Sequence, residues 1–221
     1  MSSLVDLSHV VTDGMVTYPG LPAPVIRDHL SREASIGRYA PGTEFQIGRI
    51  EMVANTGTYV DAPFHRYAGG TDLAGLDLAV LADLPGLVVH AGGTSPAIDH
   101  DAFATIEPRG RAVLVHTGWD RHWATPTYGA GGHPFLTRAA AEHLVRAGAR
   151  LVGIDSLNID DATDGTRPAH TILLGAGIPI VEHLTGLERL PDDGFRFFAV
   201  PPRVVGMGSF PVRAFALVHT A

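Results

Sequence analysis

TRAAAEHLVRAGARLVGID, residues 137–155, sets a helix directly before a strand. Thr137 is a natural N-cap, because its hydroxyl can accept from the free N–H groups of a first helical turn. The run after it is rich in Ala, and Gly148 can end it in a left-handed turn. LVGID is then a short apolar run that stops at a carboxylate, the look of a strand buried on both faces. A helix over 137–147 that packs back on the strand it feeds predicts an α/β (or α+β) domain with a mixed β-sheet. Two more runs have the same character: GLVVHAG at 86–92 and AVLVHTG at 112–118. LVDLSHVV (4–11) and FQIGRIEMVA (45–54) read as further strands, and IPIVEHL, FRFFAVPP and RAFALVHT supply three more candidates. A second helix is expected after Asp77, over LAVLADL, stopping before Pro85. Residues 12–42 have little periodicity and four Pro residues (Pro19, Pro22, Pro24, Pro41). They read as an irregular functional loop, an arm over a partner, or a plain surface excursion.

The 221 residues fit one domain, 1–221, with no linker or repeat dividing them. There is no Cys, and all 16 basic residues are Arg. Thiolate metal sites, iron–sulfur clusters, cysteine nucleophiles, Schiff-base lysines and phosphate-loop lysines are therefore excluded. A net charge of −7 and a pI near 5.9 argue against a nucleic-acid partner. The N-terminus MSSLVDLSHVV has no basic start and meets Asp6 early, unlike a signal peptide. The apolar runs fall short of the ~18–20 residues of a membrane span. The expectation is a soluble, cytoplasmic protein with no membrane partner.

The densest chemistry lies in NTGTYVDAPFHR, residues 55–66. Asn55, Tyr59, Asp61 and His65 are all able to ligate a metal or move a proton. Gly57 permits an unusual backbone, and Pro63 fixes the approach to His65. In an extended chain Tyr59 and Asp61 share one face, since the period is two. His is the usual base near neutral pH, and a nearby Asp can orient it or hold a metal. A turn with a capped Asp and a satisfied His would use the same residues. A second cluster spans 153–184. Asp155, Asn158, Asp160 and Asp161 follow the strand LVGI, and ligands of α/β sheets sit off the carboxyl ends of strands. Acidic turns are common, so this group alone is weak. His170 and Glu182 flank ILLGAG, read as a buried turn; a carboxylate ending so apolar a segment needs a partner or a metal. Trp119 and Trp123 stand four residues apart, and either wall a pocket or pack the core. GMGS at 206–209 lacks the context of a dinucleotide loop. His29, His90, His100, His122, His133, His143 and His219 show no ligand spacing.

NTGTYVDAPFH resembles the signature His-x-Gly-Thr-His-x-Asp-x-Pro-x-His of the cyclase and kynurenine formamidase-like metal-dependent hydrolases. Gly57, Thr58, Asp61, Pro63 and His65 match it in register. DLSHVVTDGMVTYPG, LVHTGW, GIDSLNID and HTILLGAGIPIVEHL are similar to other landmarks of that family, in the same order, so the resemblance covers nearly the whole chain. It implies a swivelling β/β/α-type fold and a homodimer or homotetramer. It also implies hydrolysis of a small amide, ester or lactone. Carried over by position, Asp61, His170 and Glu182 match metal ligands and His65 the catalytic acid or base.

Two positions depart from the signature: Asn55 and Tyr59 stand where it has His. Both changes remove the nitrogen donor that zinc favours. Two carboxylates and one imidazole are left, a set that suits Mn²⁺ or Mg²⁺ rather than Zn²⁺, or no metal. The favoured reading is a hydrolase in which His65 activates water, with Asp61 in support and Tyr59 donating to the developing oxyanion. Asn55, Trp119 and Asp155 are expected to line the substrate pocket. The alternatives are a metal-free cyclase, lyase or isomerase, and a non-catalytic small-molecule binding protein.

Overall fold

The computed structural model describes residues 2–219. The chain forms β1 (Ser2–Asp6), β2 (Val25–Leu30), the short α1 (Arg32–Ser35) and β3 (Ile47–Glu51). There follow β4 (Tyr59–Asp61), β5 (Leu84–His90), β6 (Ala97–Ile98), β7 (Ala112–His116) and β8 (Phe135–Leu136). Helix α2 (Arg138–Ala147), β9 (Leu151–Ile154), α3 (Pro168–Gly175) and β10 (Ile180–Glu182) complete the middle of the fold. The chain closes with β11 (Asp193–Phe198), β12 (Ser209–Pro211) and β13 (Phe215–His219).

Nine of these strands make one sheet, in the order β1-β13-β11-β5-β7-β9-β10-β4-β12. Its centre, β5-β7-β9-β10, is parallel, and its flanks are antiparallel. The parallel strands are apolar without alternation because both faces are covered. Their period of two divides them between two cores. Leu114 and Leu151 enter one; Val113, Val115, Val152 and Ile154 enter the other. All six are fully buried, each gaining roughly 1.5–3 kcal/mol by leaving water.

Helix α2 forms as its sequence predicts. The Thr137 hydroxyl accepts from Ala140 N, and Gly148 ends the helix at φ 79°. Ala140, Ala141 and Leu144 face the second core, and the two small residues let the helix lie close to the sheet.

Four expectations change. The helix expected after Asp77 is a single 3-10 turn, Leu78–Val80, because Leu84 and Pro85 already belong to β5 and pair with β11. ILLGAG is a turn only at its end: Ile172–Gly175 close α3, which Pro168 starts from the first helical position, and Ala176 and Gly177 turn the chain toward β10. Residues 12–42 are not wholly irregular, since β2 pairs with β3 as a separate ribbon. Trp119 begins a 3-10 turn and Trp123 is its extended C-cap, so the two do not stack one helical turn apart. Among the described residues no helix is long and apolar enough to cross a membrane.

Candidate active site

Strand β4 lies between β10 and β12, and its register builds the site. Tyr59 stands opposite Glu182 of β10 and opposite Pro211 of β12; Asp61 stands opposite Ser209. Tyr59 and Asp61 share one face, as their spacing predicts. Both neighbours lie far away in sequence, so the pairing is purely tertiary.

At one end, Ser209 Oγ donates a short hydrogen bond to Asp61 Oδ1 and stands 2.9 Å from His65 Nδ1. With its proton given to Asp61, the hydroxyl accepts from His65 Nδ1–H. The imidazole is then held with Nε2 bare. A Cβ on Gly208 would come within 2.5 Å of the His65 backbone, so only glycine allows β12 to approach this closely. Ser209 was not legible as a site residue: GMGS lacks the context of a dinucleotide loop, and the serine's place in the site arises from the β4–β12 register.

At the other end, His170 is set by α3. Asp160 caps this helix by accepting from Ala169 N (2.6 Å) and His170 N (3.0 Å), and it also accepts from His170 Nδ1 (2.7 Å). That leaves His170 Nε2 facing Asp61 Oδ2 and Glu182 Oε1, each 3.7 Å away. Tyr59 OH donates to Glu182 Oε2 at 2.5 Å, and Ile159 N donates to Oε1 at 2.6 Å. Asp61 Oδ2 is buried with no hydrogen-bond partner.

The electrostatics follow from this packing. Burial pushes His170 down, but Glu182, Asp160 and Asp61 outweigh it and raise the imidazole to about 10. Burial pushes Asp61 up, yet His170, His65 and Ser209 hold it below the usual carboxylate range. Burial, then the neighbouring Glu182 and Asp61 charges, raise Tyr59 well above an ordinary phenol. Tyr59 is therefore a protonated phenol whose single proton is committed to Glu182. It is placed to hold that carboxylate, not to donate to an oxyanion or to act with His65 as an acid–base pair.

The site fits one divalent ion. Carboxylates crowd a single imidazole, so the site demands positive charge at His170 Nε2, as a proton or as a metal. Ligands of one ion at ~2.1 Å stand roughly 3–3.4 Å apart, close to the 3.7 Å spacing seen here. Asp61 Oδ2 is an orphaned donor aimed into this space. Asp160 behind His170 supplies the carboxylate–imidazole support typical of metal ligands. Donor atoms of Asp61, His65 and His170 also lie within 4.8 Å of one another. His65 Nδ1 is engaged by Ser209, and Glu182 Oε1 lies as close to His170 Nε2 as Asp61 Oδ2 does.

A cavity of about 340 Å³ opens over these groups. The buried Tyr59, His170 and Glu182 form its floor, and His65, Asn55, Asn158, Tyr18 and Leu21 line the rest. Arg66 and Arg167 stand at its mouth. Asn158 Oδ1 accepts from Asp160 N, which leaves the amide NH₂ as a donor. A larger cavity, about 580 Å³, lies between 10–19 and 123–129, but its lining holds no imidazole and one carboxylate, Asp13. The smaller one contains the chemistry.

Two residues expected in the pocket lie elsewhere. Asp155 is buried under the β7 turn, where it accepts from Thr117 N and Oγ1 and from Gly118 N. Trp119 Nε1 donates to Tyr128 O, and its ring packs edge-on against His122. Neither lines the cavity, because the strand end that holds Asp155 turns its carboxylate back to tie the neighbouring strand. Asn55 does line it.

Comparison with known proteins gives the family. The family model described as "Putative cyclase" matches residues 5–161. The chain belongs to the cyclase family. It is 31% identical to a kynurenine formamidase of Bordetella avium (strain 197N), over 97% of each chain. It is 29% identical to the kynurenine formamidase of Geobacillus thermodenitrificans (strain NG80-2), again over 97% of each. A solved structure titled as a potential metal-dependent hydrolase with cyclase activity matches with a TM-score of 0.80 and 26% identity, over 100% of both chains. Isatin hydrolase A from Labrenzia aggregata shares the fold, with a TM-score of 0.84 at 21% identity over 99% of this chain and 94% of that one. This cyclase-family chain is thus a formamidase-like hydrolase, and the acidic pocket around His170 is its candidate metal site.

Proposed function

We propose that this cyclase-family hydrolase cleaves a small amide, ester or lactone, with formamides as the leading class, and that His65 activates the attacking water. The observation behind this is the Asp61–Ser209–His65 chain, which leaves His65 Nε2 bare beside the cavity. Water attacks the carbonyl carbon and gives a proton to His65 Nε2. The carbonyl oxygen becomes an oxyanion, and the cationic pole at His170 and the Asn158 amide are placed to stabilise it. The carbon–nitrogen or carbon–oxygen bond then breaks, and His65 returns the proton to the leaving group. The products are an acid and an amine or alcohol. Asp61 and Ser209 hold the imidazolium formed midway.

Asp61, His170 and Glu182 would hold a divalent ion, and such an ion would supply Lewis-acid polarisation of the carbonyl. With two carboxylates and one imidazole, the set suits Mn²⁺ or Mg²⁺ over Zn²⁺. Elemental analysis of protein purified without chelator tests this: stoichiometric zinc would overturn the preference. Replacing His65 by Ala should lower turnover of formanilide by ~10²–10⁴-fold. Undiminished turnover in that variant would end the general-base assignment. The exposed Ile26, Ile47 and Ile50 of the β2–β3 ribbon are the surface proposed to meet a second copy in a homodimer or homotetramer.

A further inference from the structure

We infer that Arg66 and Arg167 form an anion subsite, and that the preferred substrate carries a carboxylate close to its scissile bond. The inference rests on the hydrolase reading above and deepens it. Arg49, Arg111, Arg146, Arg196 and Arg213 each pair with a carboxylate. Arg66 and Arg167 make no ion pair within 4 Å among the described residues; Arg189 and Arg203 are likewise held by backbone carbonyls, but only Arg66 and Arg167 of these four line the cavity over the site. Arg66 Nε donates to Thr171 Oγ1 at 3.3 Å, and its guanidinium lies 5.3 Å from the Tyr67 ring centroid. Arg167 donates from Nη1 to the carbonyl of Asp161 at 3.1 Å.

Both residues line the cavity, and Thr171 links them. Thr171 N donates to the carbonyl of Arg167 at 2.9 Å, one helical turn away, while the Thr171 hydroxyl holds Arg66. Two cations lining one cavity favour an anionic occupant. Guanidinium groups in such a position suit a planar carboxylate, which they bind by paired hydrogen bonds.

Arg167 has a second unusual feature. Its backbone sits at φ 46° and ψ 62°, left-handed, directly before Pro168. A long side chain rarely adopts that conformation, and backbone of this kind persists mainly where function requires it. Helix α3 also fixes the spacing. Arg167 and His170 are three residues apart on it, about 4.5 Å along the axis. The anionic group would therefore be held at the mouth while the carbonyl lies on the floor. The reverse orientation would put the substrate's charge against Asp61 and Glu182.

The test compares formanilide with 2-formamidobenzoate, which differs by one ring carboxylate, in the wild type and in an Arg66→Gln/Arg167→Gln variant. The wild type should prefer the carboxylated compound by tenfold or more in kcat/KM, expressed mainly in KM. In the double variant that ratio should fall to within about threefold of unity, and an Arg66→Lys/Arg167→Lys variant should restore part of it. A wild type without the preference, or a variant that keeps it, would overturn the inference. Titration calorimetry with benzoate separates this from the hydrolase reading. If neither formamide is cleaved, the hydrolase reading fails, while benzoate binding lost in the glutamine variant still supports the subsite. Equal benzoate binding by both proteins would refute it.

Discussion

Two buried histidines stand on either side of Glu182 and live in opposite surroundings. His170 faces carboxylates on the floor of the cavity and is raised to about 10. His183 follows Glu182 directly, yet it points away into an aromatic wall of Tyr59, Trp123 and Tyr128. Burial drives it down to about 3, with the nearby His9 adding to the effect. Its backbone sits at φ 57°, outside the helix or strand regions, and this turn sends adjacent side chains to different environments. Tyr128 OH lies 2.7 Å from its Nδ1. The difference teaches that an imidazole's role here is decided by the neighbours it packs among: carboxylates for His170 on α3, aromatic rings for His183 just past β10. The floor gathers charge and performs chemistry; the wall stays neutral and gives shape.

The sharpest way to break this contrast is on the floor. Replacing Asp160 by Asn removes the carboxylate that orients His170 Nδ1, and metal affinity should fall by about 10–100-fold. Titration calorimetry with Mn²⁺ measures it. Equal affinity would show that His170 is oriented by something other than Asp160. The wall should respond in stability instead. Tyr128→Phe deletes the hydroxyl that pairs with His183, costing about 1 kcal/mol and lowering Tm by roughly 2–4 °C. Differential scanning calorimetry reads the shift, while turnover stays near wild type. Turnover reduced tenfold would place the wall within the reacting machinery.

The smallest effect concerns acid. His9 stacks on Trp123, ring centroids 3.9 Å apart, and burial lowers it to about 4, against an opposing pull from Asp120. A depressed imidazole gives stability that is complete above its unfolded value near 6.5 and is lost as the pH falls towards 4. Between those limits the unfolded chain binds a proton that the folded chain refuses. His9→Gln should therefore flatten the loss of Tm from pH 6.5 to 4. A variant as steep as wild type would remove His9 from the account of acid sensitivity.

Much of this was legible in the residues. The helix over 138–147 follows from Thr137, the alanines and Gly148, and the central strands follow from apolar runs that never alternate. Asp61, His65, His170 and Glu182 are legible through spacing and motif, and the structure does bring them together. Ser209 was not legible, because nothing near it in sequence is polar chemistry. The capping role of Asp160 was hidden in a loop rich in Asp and Asn. Asp155 looked like a pocket residue for the same reason and instead ties the β7 turn.

The sequence by itself determined helix α2 and the central strands, the absence of Cys and Lys chemistry, and the replacement of two imidazoles by Asn55 and Tyr59. It could not determine what those replacements would do. That depended on the register of β4 between β10 and β12, which sets Tyr59 against Glu182 and Asp61 against Ser209. Partners 123 and 148 residues apart meet only because the strands pair in that alignment. A one-residue slip would turn every one of those side chains to the other face. Local propensity is a property of neighbours along the chain. The proton on Tyr59, the bare nitrogen of His65 and the charge on His170 are properties of neighbours in space.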